Sequence, residues 1–237
     1  MEKNLKILSI VARWLFVLCL PVLLLTASLA WATNSQWLYN HGSHKYGVRQ
    51  SLSDSGLELT SSELEKIYAG LISYFNSDEE YISLTVEKDG KLFNLFTPEE
   101  VIHFRDVKGL IWLDYWVLLG TFVYAVGYAV SSYFWDKRQY LRQLEWGVVG
   151  GSSLTLALML ALALGIYFGF GQLFDQFHLL FFDNPHWSAK GFMLLLFPEP
   201  FFYDATLFCA LAIAGTAVIL GGVAGGFLLS TRKRIAS

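Results

Sequence analysis

Four long apolar runs constrain this chain more than any other feature in it. They occupy residues 8–32, 110–134, 147–170 and 203–229, and each supplies the roughly 20 helical residues that cross a hydrocarbon core of about 30 Å. A helix that is apolar on every face needs an apolar surround, and four of them leave a soluble domain no polar surface to show to water. Composition agrees: of 237 residues 54% are hydrophobic and 16% charged, with a mean hydropathy of +0.44, far from the charged surface of a soluble globule. The expected fold class is an all-α membrane protein with four transmembrane helices.

The basic residues orient these spans. Lys3, Lys6 and Arg13 precede or enter the first, Lys137, Arg138 and Arg142 separate the second and third, and Arg232, Lys233 and Arg234 follow the fourth. The positive-inside rule then puts both termini and the short middle connection in the cytoplasm and the two remaining connections outside. Most of the acids, including Asp78, Glu79, Glu80, Glu99, Glu100 and Asp106, fall in the outer connections. The net charge of −3 is therefore an average over two unlike faces, and it gives no reason to expect a nucleic-acid partner. Cys19 and Cys209 both lie within spans, where they act as small apolar side chains, so neither a disulfide nor redox chemistry is expected.

The first span has a rival reading as a signal peptide, since Arg13 precedes an apolar run that ends in Ala30-Trp31-Ala32, a cleavage-like triplet. The run from Trp14 to Trp31 is longer than a usual signal core, and its bracketing tryptophans resemble anchors at two interfaces. Retention as a transmembrane helix is the expectation.

Residues 33–109 read as a small extracellular α+β cap between the first two spans. Thr60-Ser61-Ser62-Glu63 has capping-box spacing and opens a helix whose apolar residues Leu64, Ile67, Tyr68, Leu71, Ile72 and Phe75 recur at helical intervals. The runs Tyr81 to Val86 and Lys91 to Phe96 flank Asp89-Gly90, a pair suited to the positive backbone angles of a type I′ hairpin. Thr97-Pro98-Glu99-Glu100 then starts another helix, with threonine as N-cap, proline at the first position and Glu100 placed to complete a second capping box. No breaker follows, so this helix should run into the second span and hold His103 at a fixed height near the lipid headgroups.

Residues 171–202 form the other outer connection, read as an aromatic-rich loop. With Phe174, Phe177, Phe181, Phe182, Trp187, Phe192, Phe197, Phe201 and Phe202 among its residues, it cannot project freely into water, and should lie in the membrane interface or fold back under the cap. Gly215, Gly221, Gly222, Gly225 and Gly226 in the fourth span have small-residue spacing that predicts close helix packing. No strand precedes them, which removes a dinucleotide or phosphate loop.

The motifs of the common soluble hydrolases, metalloproteases and nucleotide-binding enzymes do not occur. The polar groups left near the outer surface with pKa values near neutrality are His103 and His178. Asp106 follows His103 and Asp175 precedes His178 by three residues, so on a helix each carboxylate would share a face with its imidazole and could orient it or hold its proton. The two histidines end different spans on one side of the membrane, where a bundle could bring them together as acid and base. Against this stands the commoner use of interfacial histidines as amphipathic anchors with the ring tip in water. Arg105 and Lys108 have a similar plain use as headgroup contacts, and His41, His44 and His186 read as surface residues.

The segment His103-Phe104-Arg105-Asp106-Val107-Lys108 just before a span resembles a motif of the lipoprotein intramolecular transacylases, a family of bacterial membrane proteins. So does Phe177-His178-Leu179-Leu180-Phe181-Phe182-Asp183-Asn184-Pro185-His186-Trp187, followed by Leu195-Leu196-Phe197-Pro198-Glu199 and Phe201-Phe202. Four spans and an outer cap agree too, so the resemblance covers essentially the whole chain. It implies a multi-pass protein of the bacterial cell membrane with its active site at the outer face. Its substrate would be a membrane-anchored lipoprotein with a diacylglyceryl thioether on its N-terminal cysteine, among membrane lipids. The implied reaction moves the sn-2 acyl chain to the α-amino group of that cysteine, with His103 and His178 as the catalytic pair. The implied substrate contacts are Phe104, Lys108, Phe177, Phe181, Phe182, Trp187 and Phe201, although methionine is common where Phe104 stands. Ester becomes amide, so the reaction runs downhill with no metal or other cofactor. The oligomeric state stays open, a monomer among the options.

Two readings of other classes remain. One is a non-enzymatic membrane protein whose cap binds a partner; the other is a metal-dependent membrane hydrolase with His103, His178, Asp106 and Asp175 as ligands. A transporter is disfavoured, because no acidic or basic residue lies near the midplane of a span.

Overall fold

The computed structural model describes the backbone except at residues 1, 89, 136–138 and 237, and side chains except at those and at 2–6, 135, 139–140 and 231–236. Asp89 of the expected turn, Lys137 and Arg138 thus lie outside the described residues, as do the side chains of Lys3, Lys6, Arg232, Lys233 and Arg234. The elements run α1 (Glu2–Thr33), α2 (Gln36–Lys45), α3 (Val48–Asp54), α4 (Ser61–Phe75), β1 (Thr85–Lys88), β2 (Lys91–Asn94), α5 (Pro98–Trp135), α6 (Gln139–Phe181), α7 (Phe192–Leu196) and α8 (Glu199–Ala236), with a 3₁₀ turn at Pro185–Ser188 before α7. Among the described residues four helices, α1, α5, α6 and α8, are long and apolar enough to cross a membrane. The chain is a multi-pass membrane protein of the expected class, all-α apart from one small ribbon.

The chain divides into two compact units, the first made of residues 1–29, 114–165 and 209–237. Within it α1 and α6 approach closely at glycines. A Cβ on Gly151 would stand 2.9 Å from Leu20 Cβ and 3.1 Å from the Val17 carbonyl, and one on Gly147 would stand 2.9 Å from Phe16. Phe16 stacks on Tyr128 at 4.8 Å, and the Tyr124 hydroxyl donates to the Ala12 carbonyl at 2.8 Å. These bonds use polar edges that have no water to turn to inside a bilayer. The expected packing role of the glycines in α8 holds only for Gly221, whose Cβ would stand 3.0 Å from Ser152 Cβ. Gly215, Gly222, Gly225 and Gly226 face open space; Ala217 and Ala224 are the buried small residues of that helix. The spacing of small residues is the same on either helical face, and the glycines here took the outward one.

The second unit comprises residues 30–113 and 166–208. Its core is Val48, Leu52, Leu57, Tyr68, Leu71, Leu95 and Leu196, each nearly or wholly buried. Helix α4 begins as its sequence predicts: the Thr60 side chain accepts from the Glu63 amide at 3.2 Å, and the Glu63 carboxylate accepts from the Thr60 amide at 2.8 Å. Its apolar stripe faces inward, although Ile72 is only half-buried and Tyr74 joins the buried side. Burial pushes the phenols of Tyr68 and Tyr74 up to about 12, so both remain donors, to the Leu196 carbonyl at 3.3 Å and the Glu80 carbonyl at 3.0 Å.

The ribbon is shorter than expected and displaced. Thr85–Lys88 pairs antiparallel with Lys91–Asn94, Thr85 opposite Asn94, and Gly90 has φ 75°. The strand begins only at Thr85, although the Leu95 amide still donates to the Leu84 carbonyl at 2.8 Å; the Leu84 side chain packs on α4, in the space that a Cβ on Gly70 would need.

The connection read as an interfacial loop folds with this second unit, and its first part is helical. Helix α6 runs on to Phe181 past one non-helical residue, Gly169 (φ 159°, ψ 98°). Residues 171–181 contain no strong breaker after Gly171; the stop comes at Asn184-Pro185, where Asn184 caps the 3₁₀ turn.

Candidate active site

Within the second unit the first turns of α5 and the last turns of α6 carry the two singled-out histidines. Thr97 and Glu100 form the second predicted capping box, the Thr97 amide donating to Glu100 Oε2 at 2.9 Å and the Glu100 amide to Thr97 Oγ1 at 3.3 Å. That cap fixes the start of α5, and His103 follows one turn later. His178 sits in the last turn of α6. Both side chains are buried, at 7% exposure each, and their ring centroids lie 6.2 Å apart.

Aromatic rings surround the pair. Phe182 packs against both imidazoles, 4.8 Å from His103 and 5.5 Å from His178. Trp187 stacks on His178 at 4.6 Å, Phe174 approaches it at 4.3 Å and Phe177 meets it edge-on at 5.4 Å. Such a lining excludes water and strengthens every polar interaction within it.

The two imidazoles are held differently. His178 Nδ1 lies 2.7 Å from the Phe174 carbonyl, four residues back on its own helix. A carbonyl only accepts, so Nδ1 carries the hydrogen, and the lone pair of the neutral ring is on Nε2. His103 Nδ1 is buried with no hydrogen-bond partner among the described residues. A buried polar atom left unpaired costs stability, and an atom from outside the chain would satisfy it.

The carboxylates expected to orient these rings are engaged elsewhere. Asp106 accepts from Arg105 at 2.9 and 3.2 Å through Oδ1 and from the Asn184 side-chain amide at 2.9 Å through Oδ2. Strong donors on both oxygens outcompete a neutral imidazole. Asp175 is exposed, and the ring nitrogen that would have met it is bonded to the backbone instead. Among the described residues no group of three or more His, Cys, Asp or Glu side chains is arranged to hold a metal ion.

Of the expected substrate contacts, Phe182, Trp187 and Phe177 border the histidines. Phe104 also lies beside His103, ring centroids 6.4 Å apart; Phe181, Phe201 and Lys108 make their contacts elsewhere in the unit. Phe104 is buried against Phe96 at 4.6 Å and Phe75 at 6.3 Å. Phe201 fills the space beside Gly42, and Phe181 is exposed with Phe177 beside it at 4.9 Å. Lys108 is buried; its ammonium donates to the Glu79 carbonyl at 2.6 Å and sits 4.4 Å from the Tyr74 ring centroid. It is a bolt within the unit, not a headgroup contact. Arg105 meets Asp106 and the Tyr81 hydroxyl. His41 and His44 are exposed, as their sequence context predicts, whereas His186 is half-buried in the 3₁₀ turn.

Three site residues escaped the sequence reading. Asn184 reaches Asp106 across 78 positions, and Glu100, read only as a helix cap, also accepts from the Met193 amide at 2.7 Å across 93. Nothing local announces either contact. Phe174 was seen only as one aromatic among many, although an i−4 position to a histidine is a visible signal.

Comparison with known proteins gives the family and the fold. Residues 14–202 match the profile of the family described as "Lipoprotein intramolecular transacylase Lit". A search of curated proteins finds no match. Among solved structures the chain is similar to the membrane integral lipoprotein intramolecular transacylase Lit from Bacillus cereus, with a TM-score of 0.77 and 21% identity over 97% of this chain and 99% of that one. Two further structures of that protein, with a histidine replaced by arginine or by alanine, match at TM-scores of 0.70. Both are 23% identical to this chain, over 100% and 98% of it and 99% of theirs. At such identity these structures speak for the fold.

Proposed function

This chain belongs to the lipoprotein intramolecular transacylase family, Lit, and on that premise we propose that it moves the sn-2 acyl chain of a diacylglyceryl-cysteine lipoprotein to the α-amino group of the same cysteine, with His103 and His178 as the catalytic pair. The observation that carries this reading is the pair itself: two buried imidazoles 6.2 Å apart, one with a fixed tautomer and one with an unpaired nitrogen. The distribution of basic residues supports a site on the outer face and cytoplasmic termini.

An α-ammonium with a pKa of about 8 becomes a nucleophile once it loses one proton. As its nitrogen bonds to the ester carbonyl carbon, His178 Nε2 accepts the second proton the nitrogen sheds. The bond from Nδ1 to the Phe174 carbonyl holds the ring for that task and stabilises the imidazolium, the part a carboxylate plays in a catalytic triad. His103 Nδ1, without a partner among the described residues, carries the hydrogen in the productive tautomer and donates it to the carbonyl oxygen as that becomes an oxyanion. When the bond from carbonyl carbon to glycerol oxygen breaks, the proton on His178 passes to the departing alkoxide. Ester and amine become amide and alcohol, and both histidines return to their starting forms.

Nucleophile and ester belong to one molecule, so the barrier is lowered mainly by folding the substrate until they meet. Phe182, Trp187 and Phe177 supply apolar walls for the glyceryl and acyl portions and keep out the water that would hydrolyse the ester. Asp106 acts at one remove, through Asn184 on the segment that carries Phe182 and Trp187.

His178→Asn tests the division of labour, because its amide can still donate to the Phe174 carbonyl but offers no base. Lipoproteins from cells carrying this variant should retain the diacylglyceryl form with a free α-amine in mass spectra, while the protein folds normally. N-acylated lyso product at the native level would overturn the role of His178. Full activity after exhaustive chelation is expected, and loss restored by added metal would favour the hydrolase reading.

A further inference from the structure

The protein contains two capping boxes of like sequence, and their glutamates differ in a way that local structure does not require. Glu63 is exposed, and among the described residues its hydrogen bonds serve the start of its own helix. Glu100 is wholly buried, at 0% exposure. Its Oε2 accepts from the Thr97 amide at 2.9 Å, closing the start of α5, while Oε1 accepts from the Met193 amide at 2.7 Å, in the first turn of α7. Gly191 lies against the same carboxylate so closely that a Cβ there would overlap both oxygens and Cδ. A carboxylate taken this far from water needs good hydrogen bonds to be tolerated, and an exposed glutamate would have capped α5 equally well. The burial therefore serves the second contact.

That contact joins two parts of the candidate site. Glu100 is one helical turn before His103 on α5. Met193 and Gly191 belong to the connection between α6 and α8, which carries Phe182 and Trp187, the rings packed on His178. We propose that Glu100 is a positioning residue of the acyl shift: by bonding the α5 start and the connection at once, it sets Phe182 and Trp187 and so the facing geometry of the two imidazoles. This inference rests on the histidine pair being catalytic.

The test uses the full-length protein in detergent with a synthetic diacylated lipopeptide. Glu100→Gln keeps the shape but turns an amide N–H₂ toward one of the two backbone donors. Glu100→Asp keeps the charge and is too short to span both. In each, kcat is expected to fall roughly 10- to 100-fold, the scale of a misplacement near 1 Å, with KM little changed well below the melting temperature. Gly191→Ala should cost as much, and adding it to Glu100→Ala should cost little more, because both act through one contact. Unchanged kcat in a folded Glu100→Gln or Glu100→Asp protein would overturn the proposal, as would independent, multiplying losses in the double variant. His103→Ala in the same assay separates the two levels. If it abolishes transfer while both Glu100 variants retain full kcat, only the positioning role fails; if it transfers normally, the histidine reading fails.

Discussion

Lys108→Met separates two uses of one residue. In the sequence Lys108 closes a motif and invites a role in binding substrate or phosphate. In the structure its ammonium is 2.6 Å from the Glu79 carbonyl, 3.4 Å from Ser77 Oγ and 4.4 Å from the Tyr74 ring centroid. A hydrogen bond from a charged donor contributes about 1.5–3 kcal/mol, and a partly desolvated cation over a tyrosine adds roughly 0.5–2 kcal/mol. Methionine preserves much of the apolar stem packing, and the lysine no longer gives up rotamer freedom of up to about 2 kcal/mol. The net loss should be about 2 kcal/mol, which for a chain of this size is about 4–8 °C in melting temperature. Tryptophan fluorescence during heating in detergent measures the shift, and lipopeptide kinetics below the transition measure binding. Reduced melting with KM unchanged is the expected outcome. An unchanged melting temperature with a severalfold higher KM would refute the structural reading and return Lys108 to the substrate.

Other expectations follow from single contacts. Asp106→Asn loses the acceptor for Arg105 or Asn184, and transfer should slow by roughly tenfold, about 1.4 kcal/mol; Asp106→Asn with Asn184→Asp re-forms the amide–carboxylate bond and should recover part of the rate, measured by lipopeptide turnover. Gly151→Ala should lower the melting temperature, since its Cβ would stand 2.9 Å from Leu20 and 3.1 Å from the Val17 carbonyl. Gly226→Ala, with nothing within 4 Å, should be neutral or stabilising, helped by up to about 1 kcal/mol of helix propensity. Hydrogen bonds from Thr60 hold the Glu63 carboxyl below its usual value of 4.5. A depressed folded-state pKa stabilises above the unfolded value, so the α4 cap should be fully effective above about pH 4.5 and weaken as pH falls through the lowered value. Hydrogen exchange at the first α4 amides should show that loss in the native protein and a smaller one in Thr60→Ala, which keeps only the backbone bond to Glu63.

Local signals carried the sequence reading where it agrees with the structure. The four spans, the box from Thr60 to Glu63 and the box from Thr97 to Glu100 each depend on residues within a few turns of one another. The two histidines were visible as titratable groups near the outer ends of spans, but their facing arrangement needed the fold. Sequence reasoning assigned Asp106 to His103 from helical spacing alone; Asn184 and Arg105 took it because they offer stronger donors. It missed that a histidine can use the carbonyl four residues back, as His178 does with Phe174, and expected the orienting partner to be Asp175, whose charge still acts on that ring. The bond from Glu100 to Met193 had no local trace. The extent of α6 beyond residue 170 was legible in principle, since residues 172–181 contain neither glycine nor proline, but the density of aromatics favoured a loop.

The account turns on acyl migration within one substrate molecule, directed by two histidines. The most direct measurement is tandem mass spectrometry of a diacylated lipopeptide whose sn-2 chain alone is isotopically labelled, incubated with purified protein in detergent without added phospholipid. The account predicts that the label moves to the α-nitrogen of the cysteine of the same molecule, and that His103→Ala and His178→Ala each slow this by roughly 10²–10⁴-fold. Label that stays on the glycerol or leaves as free fatty acid, or transfer at the native rate in either histidine variant, would contradict it.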